Sequence, residues 1–232
     1  MKSTIKLSLL AFVASAFMVS CGSGTEADAV SEQKEVAEMS GETYTVDTDS
    51  SVIEWRGEKF TGDAHFGTIN VKEGELTVEN GAITAGKFTI DMNSIVVTDE
   101  TPEDYKKNLL AHLKGTTGEE KDADFFQVTK YPTASFEITG VEGNQISGNL
   151  TMLDSTHNVT FTATTTIEDG KLTAITEDFT FDRTLWGIKF LSTLVGKGKD
   201  VAIKDEITIK ISLTANAAEA TEETVEETEA TE

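Results

Sequence analysis

Three histidines, a single cysteine and 41 carboxylates are the side chains here that could do chemistry. His65, His112 and His157 lie in separate segments, without the His-x-x-x-His or Cys-x-x-Cys spacing that sets two metal ligands side by side. They read as structural histidines, and neither a metal nor a cofactor is expected. Acid pairs such as Asp122 with Asp124, or Glu177 with Asp178, have the residue types for glycosidase-like acid and base work. So many acids produce such neighbours by chance, however, and these pairs fall where strands end and turns begin. No Gly-x-Ser-x-Gly nucleophile motif or glycine-rich phosphate loop occurs in the body of the chain, so no enzymatic activity is expected. Arg183, beside Asp182 on an apolar run, must either pair with a carboxylate or receive an anionic headgroup. A structural pair with Asp91 or Asp182 is the expectation, with Trp186 placed to cover the guanidinium.

The elements that carry these residues are short alternating runs. Ala134, Phe136 and Ile138 alternate with polar neighbours, Gly143-Asn144 reverses the chain, and Ile146, Gly148, Leu150 and Met152 resume the pattern. Period-two patterning around a tight turn marks a half-buried antiparallel hairpin, because successive strand side chains point to opposite faces. Ile53 and Trp55 alternate with Val52, Glu54 and Arg56. Turns are expected at Glu73-Gly74, at Asn80-Gly81 and at Asp169-Gly170. Phe88, Ile90 and Met92 share one strand face, as do Phe179 and Phe181, and Ile207, Ile209, Ile211 and Leu213 close the pattern. One segment departs from it. Thr101-Pro102-Glu103-Asp104 has an N-cap hydroxyl, a proline at the first helical position and acids in the first turn. Tyr105, Leu109 and Leu113 then fall on one face of a short helix that Gly115 ends. The count is about eight strands and one helix. Strands of about ten residues at about 3.3 Å each would stand about 33 Å tall, and eight strands can enclose one ligand.

The ends differ from the body. Lys2 and Lys6 precede thirteen mostly apolar residues, 7–19, a run shorter than the ~20 a spanning helix needs, so residues 1–20 read as a signal peptide. Met18-Val19-Ser20-Cys21 resembles a bacterial lipobox, which makes Cys21 the expected lipid-attachment site. With one cysteine no intrachain disulfide can form. Residues 21–42, rich in carboxylates with Lys34 the one base, read as a flexible tether. Residues 217–232 read as a disordered tail, seven glutamates without a base. The domain is expected at 43–216. A formal charge of -22 and no Lys/Arg cluster fit to neutralise a row of phosphates argue against nucleic acid as a partner, and leave no basic patch for anionic headgroups.

An ordered set of motifs carries a family resemblance: Asp91 with Ser94-Ile95, His112-Leu113, Asp124-Phe125-Phe126, Tyr131-Pro132, Phe136, Gly148-Asn149-Leu150-Thr151, Asp182-Arg183-Thr184 and Gly187-Ile188. Together they resemble the YceI-like family from about Tyr44 to Ala215. Two departures from its pattern stand out, one at Asp154-Ser155 and one at Ser50. The resemblance implies an all-β fold, an extended eight-stranded antiparallel lipocalin-like barrel with one short helix in a connection. It further implies an exported protein that holds a polyisoprenoid or similar long apolar lipid. On that basis Phe88, Ile90, Phe125, Phe126, Phe136, Leu150, Phe161, Phe179 and Phe181 are the expected ligand-lining residues. The expected partners are that lipid and, through Cys21, a membrane of the bacterial envelope, on the periplasmic or surface face of the outer membrane. The competing reading is a surface or structural interaction protein whose barrel is filled by these same phenylalanines.

Overall fold

The computed structural model describes residues 30–117 and 124–218. Eleven strands and one α-helix follow in order: β1 (Val30–Glu32), β2 (Glu42–Val46), β3 (Val52–Glu58), β4 (Ala64–Glu79), β5 (Ala82–Val97), α1 (Glu103–Lys114), β6 (Thr133–Glu142), β7 (Gln145–Met152), β8 (Ser155–Glu168), β9 (Lys171–Thr176), β10 (Phe179–Asp182) and β11 (Glu206–Ala217). Every pairing is antiparallel. From β4 the sheet runs through β5, β6, β7 and β8 to β9, which pairs with β11. β11 pairs with β2 and β3, which both return to β4, so the sheet closes. Counting β2/β3 and β9/β10 each as one interrupted strand, the ring has eight members.

Closure explains the alternation. Ile146, Gly148, Leu150 and Met152 of β7 are all buried inside the ring, while Ser147 and Thr151 between them are partly exposed. Asn80-Gly81, Gly143-Asn144 and Asp169-Gly170 do form the turns at one end, with Asn80, Gly81, Gly143, Asp169 and Gly170 all at positive φ. Glu73-Gly74 does not. It lies inside the 16-residue β4, where a register shift between Val71 and Glu73 absorbs one residue as a bulge. The glycine there serves close packing, since a Cβ on Gly74 would sit 2.7 Å from the Phe88 ring.

The other end of the ring is covered. α1 packs against β5 and buries Leu113, and Gly115 ends it in the left-handed region at φ 66°. Its N-cap is Pro102 rather than Thr101, and no side chain caps it. Thr101 instead takes part in a turn in which its N–H donates to Asp99 Oδ1 at 3.0 Å. Residues 183–205, with two short 3-10 turns at Arg183–Trp186 and Thr193–Val195, form the rest of the cover.

The tether reading fails from Val30 onward. β1 pairs with the edge of β8, Val30 opposite Val159 and Glu32 opposite His157. The chain then crosses the outside of β7 and β6, where Asn149 bonds Lys34 and the Ala37 N–H donates to the Ile138 carbonyl at 2.9 Å. The physical reason is non-local: a polar segment with no apolar periodicity is held by backbone bonds to a free strand edge and to a buried amide. Likewise β11 reaches Ala217, whose N–H donates to Gly170, and Ala218 donates to Thr43, so the ordered chain passes the expected boundary at 216. The signal peptide with Cys21, residues 21–29 of the tether, Asp122 and the acidic run 219–232 lie outside the described residues.

Candidate functional site

The ring interior holds two adjoining cavities. The larger, about 150 Å³, lies between β3, β6, β7, β10, β11 and the covering segments, and its wall is almost wholly apolar. By the same measure a water needs only about 10–15 Å³, so the space greatly exceeds one solvent molecule. The smaller, about 80 Å³, continues toward the hairpin end. Ile53, Ile90, Phe136, Phe161 and Ile211 border both, so the two spaces meet at one waist.

Aromatic rings form that waist. Phe88 and Phe136 lie 6.2 Å apart between centroids, Phe136 and Phe161 5.6 Å, and Phe161 stacks on Phe179 at 4.7 Å. Strand register makes the belt possible, since Phe88 sits opposite Phe136 and Phe136 opposite Leu150. Gly148 opens room for it: a Cβ there would stand 2.2 Å from the tip of the Phe136 ring. The glycine of the Gly-x-Leu-Thr run is thus a seat for an aromatic side chain, a role no local pattern shows.

All nine side chains expected to line a ligand site border these spaces. Ile90, Phe125, Phe126, Phe136, Leu150, Phe161, Phe179 and Phe181 face the larger, and Phe88 the smaller. Sequence reasoning missed others. Trp55, Ile69, Leu109, Ile188 and Ile203 also line the larger cavity, and the alternating isoleucines of β11, Ile207, Ile209 and Ile211, form one whole wall. Their alternation was visible; that their face turns inward follows only from closure.

Arg183 requires a correction. Its side chain is 1% exposed, and its ion pair is with Asp205, at 3.5 Å, rather than with Asp182 or Asp91. Nη1 donates to the Ile188 carbonyl at 2.7 Å and Nε to the Lys204 carbonyl at 3.3 Å. Its guanidinium lies 5.4 Å over the Phe125 ring, the place expected for Trp186. Asp182 has another task, accepting from the N–H and hydroxyl of Thr184 at 2.8 and 2.6 Å to cap the 3-10 turn. Burial lowers the guanidinium pKa, and Asp205 and Asp182 oppose that shift. Arg183 therefore pins residues 183–205 over the cavity. Trp186, fully buried, donates to the Leu150 carbonyl at 3.0 Å and packs on Phe181 and His157.

The histidines mark the rim. His65 Nδ1 meets Asp99 Oδ2 at 2.8 Å, and its ring borders the larger cavity. Burial pushes the Asp99 pKa up, but bonds from Thr101 and His65 outweigh it and hold the carboxyl at about 2. His112 Nδ1 lies 3.3 Å from the buried Asp124, which also accepts from the Thr117 hydroxyl, and its ring stacks on Phe190 at 5.1 Å. His157 meets the Leu185 carbonyl at 3.1 Å. Glu177 and Asp178 are exposed, in the break between β9 and β10. No group of three His, Cys, Asp or Glu side chains suited to a metal occurs among the described residues.

A closed antiparallel ring around an apolar cavity, with a covered end pinned by a buried arginine, defines a lipocalin-like class of protein. The sequence profile of the YceI-like domain matches residues 44–215, and the chain belongs to that family. Its fold is similar to that of BcnA from Burkholderia cenocepacia, at 20% identity and a TM-score of 0.53, over 74% of this chain and 99% of that one. It is also similar to a polyisoprenoid binding domain from Saccharophagus degradans implicated in plant cell wall breakdown. That likeness has 13% identity and a TM-score of 0.53, over 79% of this chain and all of the other. No curated protein matches the chain.

Proposed function

We propose that this protein holds a long apolar lipid, such as a polyisoprenoid, along the axis of the ring. The observation that carries the reading is the pair of apolar cavities that adjoin at the Phe136 and Phe161 waist, five residues lining both. An extended apolar chain fits two such adjoining spaces, whose walls are almost wholly apolar. Ten methylenes buried there would contribute about 8 kcal/mol, enough for micromolar binding before ordering costs. The Saccharophagus degradans relative, described as polyisoprenoid binding, supports the same ligand class. A filled ring leaves no use for such a void, and the binding reading therefore takes precedence over a purely structural one.

The same proposal includes export and anchoring. Residues 7–19 and the lipobox-like 18–21 support a lipoprotein whose Cys21 carries the acyl chains and whose domain works in the bacterial envelope. Native mass spectrometry of protein purified from its own membrane tests the ligand: the reading expects one bound lipid per chain, released by organic solvent, and a lipid-free mass contradicts it. Fractionation tests the anchor. Cys21→Ser should leave the membrane fraction or remain unprocessed, and unchanged, processed membrane association contradicts lipidation.

A further inference from the structure

The covered end carries exposed apolar side chains in a segment that is also rich in lysine. Phe60, Leu194, Val195 and Val201 are 40% to 66% exposed there. They belong to one patch, because the Phe60 N–H donates to the Ala202 carbonyl at 3.3 Å and the Ile203 N–H to the Leu191 carbonyl at 2.9 Å. The tip is built rather than loose. Ser192, fully buried, accepts from the Leu194 N–H at 3.0 Å, and Gly196 at φ 79° turns the chain after Val195.

Lysines ring these apolar side chains. Residues 189–204 contain Lys189, Lys197, Lys199 and Lys204 against Asp200, in a chain whose formal charge is -22. Two nearby lysines are paired, Lys204 to Glu58 at 2.9 Å and Lys59 to Asp63 at 4.0 Å. Lys189, Lys197 and Lys199 are exposed, and the Lys199 ammonium stands 5.2 Å over the Phe60 ring. The expectation that no basic patch exists is thereby corrected: the patch is small, and it is confined to this end. At physiological salt the Debye length is about 8 Å, so an approaching surface feels the tip and not the acidic body behind it.

We propose that this tip docks on an anionic lipid surface, with Phe60, Leu194, Val195 and Val201 entering the acyl boundary and the three lysines meeting headgroup phosphates. Apolar groups flanked by ammonium ions whose stems lie along apolar surface are the pattern an interface of this kind selects. An acidic protein would satisfy the lysines but gives no role to four exposed apolar side chains at the crest. Docking places the rim of the cavity against the bilayer, since Glu58, Lys59, Asp63 and Ile203 line the larger space directly behind the tip. A lipid could then pass between membrane and ring without crossing water. The inference goes beyond the lipid-holding reading and can fail separately, because a tip can dock whether or not the ring is loaded.

The test uses the full chain with Cys21→Ser and Leu194→Cys, labelled at the new thiol with an environment-sensitive fluorophore. The probe is a phosphatidylglycerol and phosphatidylethanolamine vesicle, with phosphatidylcholine as the neutral reference. The emission should shift to the blue on anionic vesicles, and the shift should fall at least several-fold when Lys197→Glu and Lys199→Glu are added or salt is raised. A label at Glu168→Cys, at the hairpin end, should not respond. A Leu194 label that keeps its aqueous emission on anionic vesicles overturns the proposal, also if that label responds to an acidic protein instead. Equal responses at both labels, or a shift insensitive to charge reversal, overturn it as well.

Discussion

The carboxamide of Asn149 closes a two-bond clasp on the backbone of Lys34, accepting from its N–H at 3.0 Å and donating to its carbonyl at 2.7 Å. Asn149 is buried on the outer face of β7 and also accepts from Asn158 at 3.2 Å. The clasp turns a polar leader into part of the fold. Asn149→Ala strands these buried groups, at a cost of about 1 to 3 kcal/mol. Hydrogen exchange should show the Lys34 amide protected in the wild type and fast in the variant. A chain beginning at residue 43 should melt several degrees below one beginning at 30, and equal melting would mean that the strap contributes nothing.

Arg183 and Asp205 are coupled across the covered end. Arg183→Ala leaves a carboxylate without its partner, and breaking a buried pair typically costs about 3 to 5 kcal/mol. Arg183→Met with Asp205→Asn should recover much of that loss. A double-mutant cycle by denaturant unfolding measures the coupling, and strictly additive losses would place the arginine's contribution in its carbonyl contacts alone.

The Asp99 carboxyl, held at about 2, makes a signed prediction about acid. A folded pKa below the unfolded value of about 3.9 contributes stability that is present above the unfolded value and lost as pH falls toward 2. The stability gap between wild type and Asp99→Asn should therefore be full at pH 6 and close between about pH 4 and 2. A gap constant over that window would show that the Asp99 charge is not what holds His65 at the rim.

Much of the ring was legible because strand alternation is local. The hairpins at Asn80-Gly81, Gly143-Asn144 and Asp169-Gly170 and the helix stopped by Gly115 follow from patterns a few residues long, whereas the nine lining side chains were expected from the family resemblance. What was illegible is long-range. β1 and the residues after it show no apolar periodicity; the edge of β8 holds the strand, and an amide 115 residues away holds Lys34. Glu73-Gly74 has the composition of a turn, yet its glycine answers to the Phe88 ring of the next strand. Arg183 had two candidate acids nearby or in a motif, and took Asp205 because residues 183–205 fold back on themselves. The inward face of β11 depended on closure, which no single strand encodes.

The waist gives a test of lined against packed. Phe→Ala in a close-packed core costs about 3 to 5 kcal/mol, because a void replaces contacts. Phe161 borders cavity space already, so Phe161→Ala should cost clearly less and should join the two cavities. Mass spectrometry of the extracted ligand should then show a shift toward longer or bulkier chains. Full core-like destabilisation with unchanged ligand would make the belt ordinary packing.

Trp55 lines the larger cavity, whereas Trp186 is buried outside its wall, and the chain has no other tryptophan. Titration of delipidated protein with a brominated long-chain isoprenoid, read by tryptophan fluorescence, therefore reports directly on occupancy of the ring. Saturable quenching at one ligand per chain, abolished by Trp55→Phe and by Phe136→Asp, is the predicted result. Unquenched emission from the wild type, or quenching that survives Trp55→Phe at full strength, would contradict a lipid held inside.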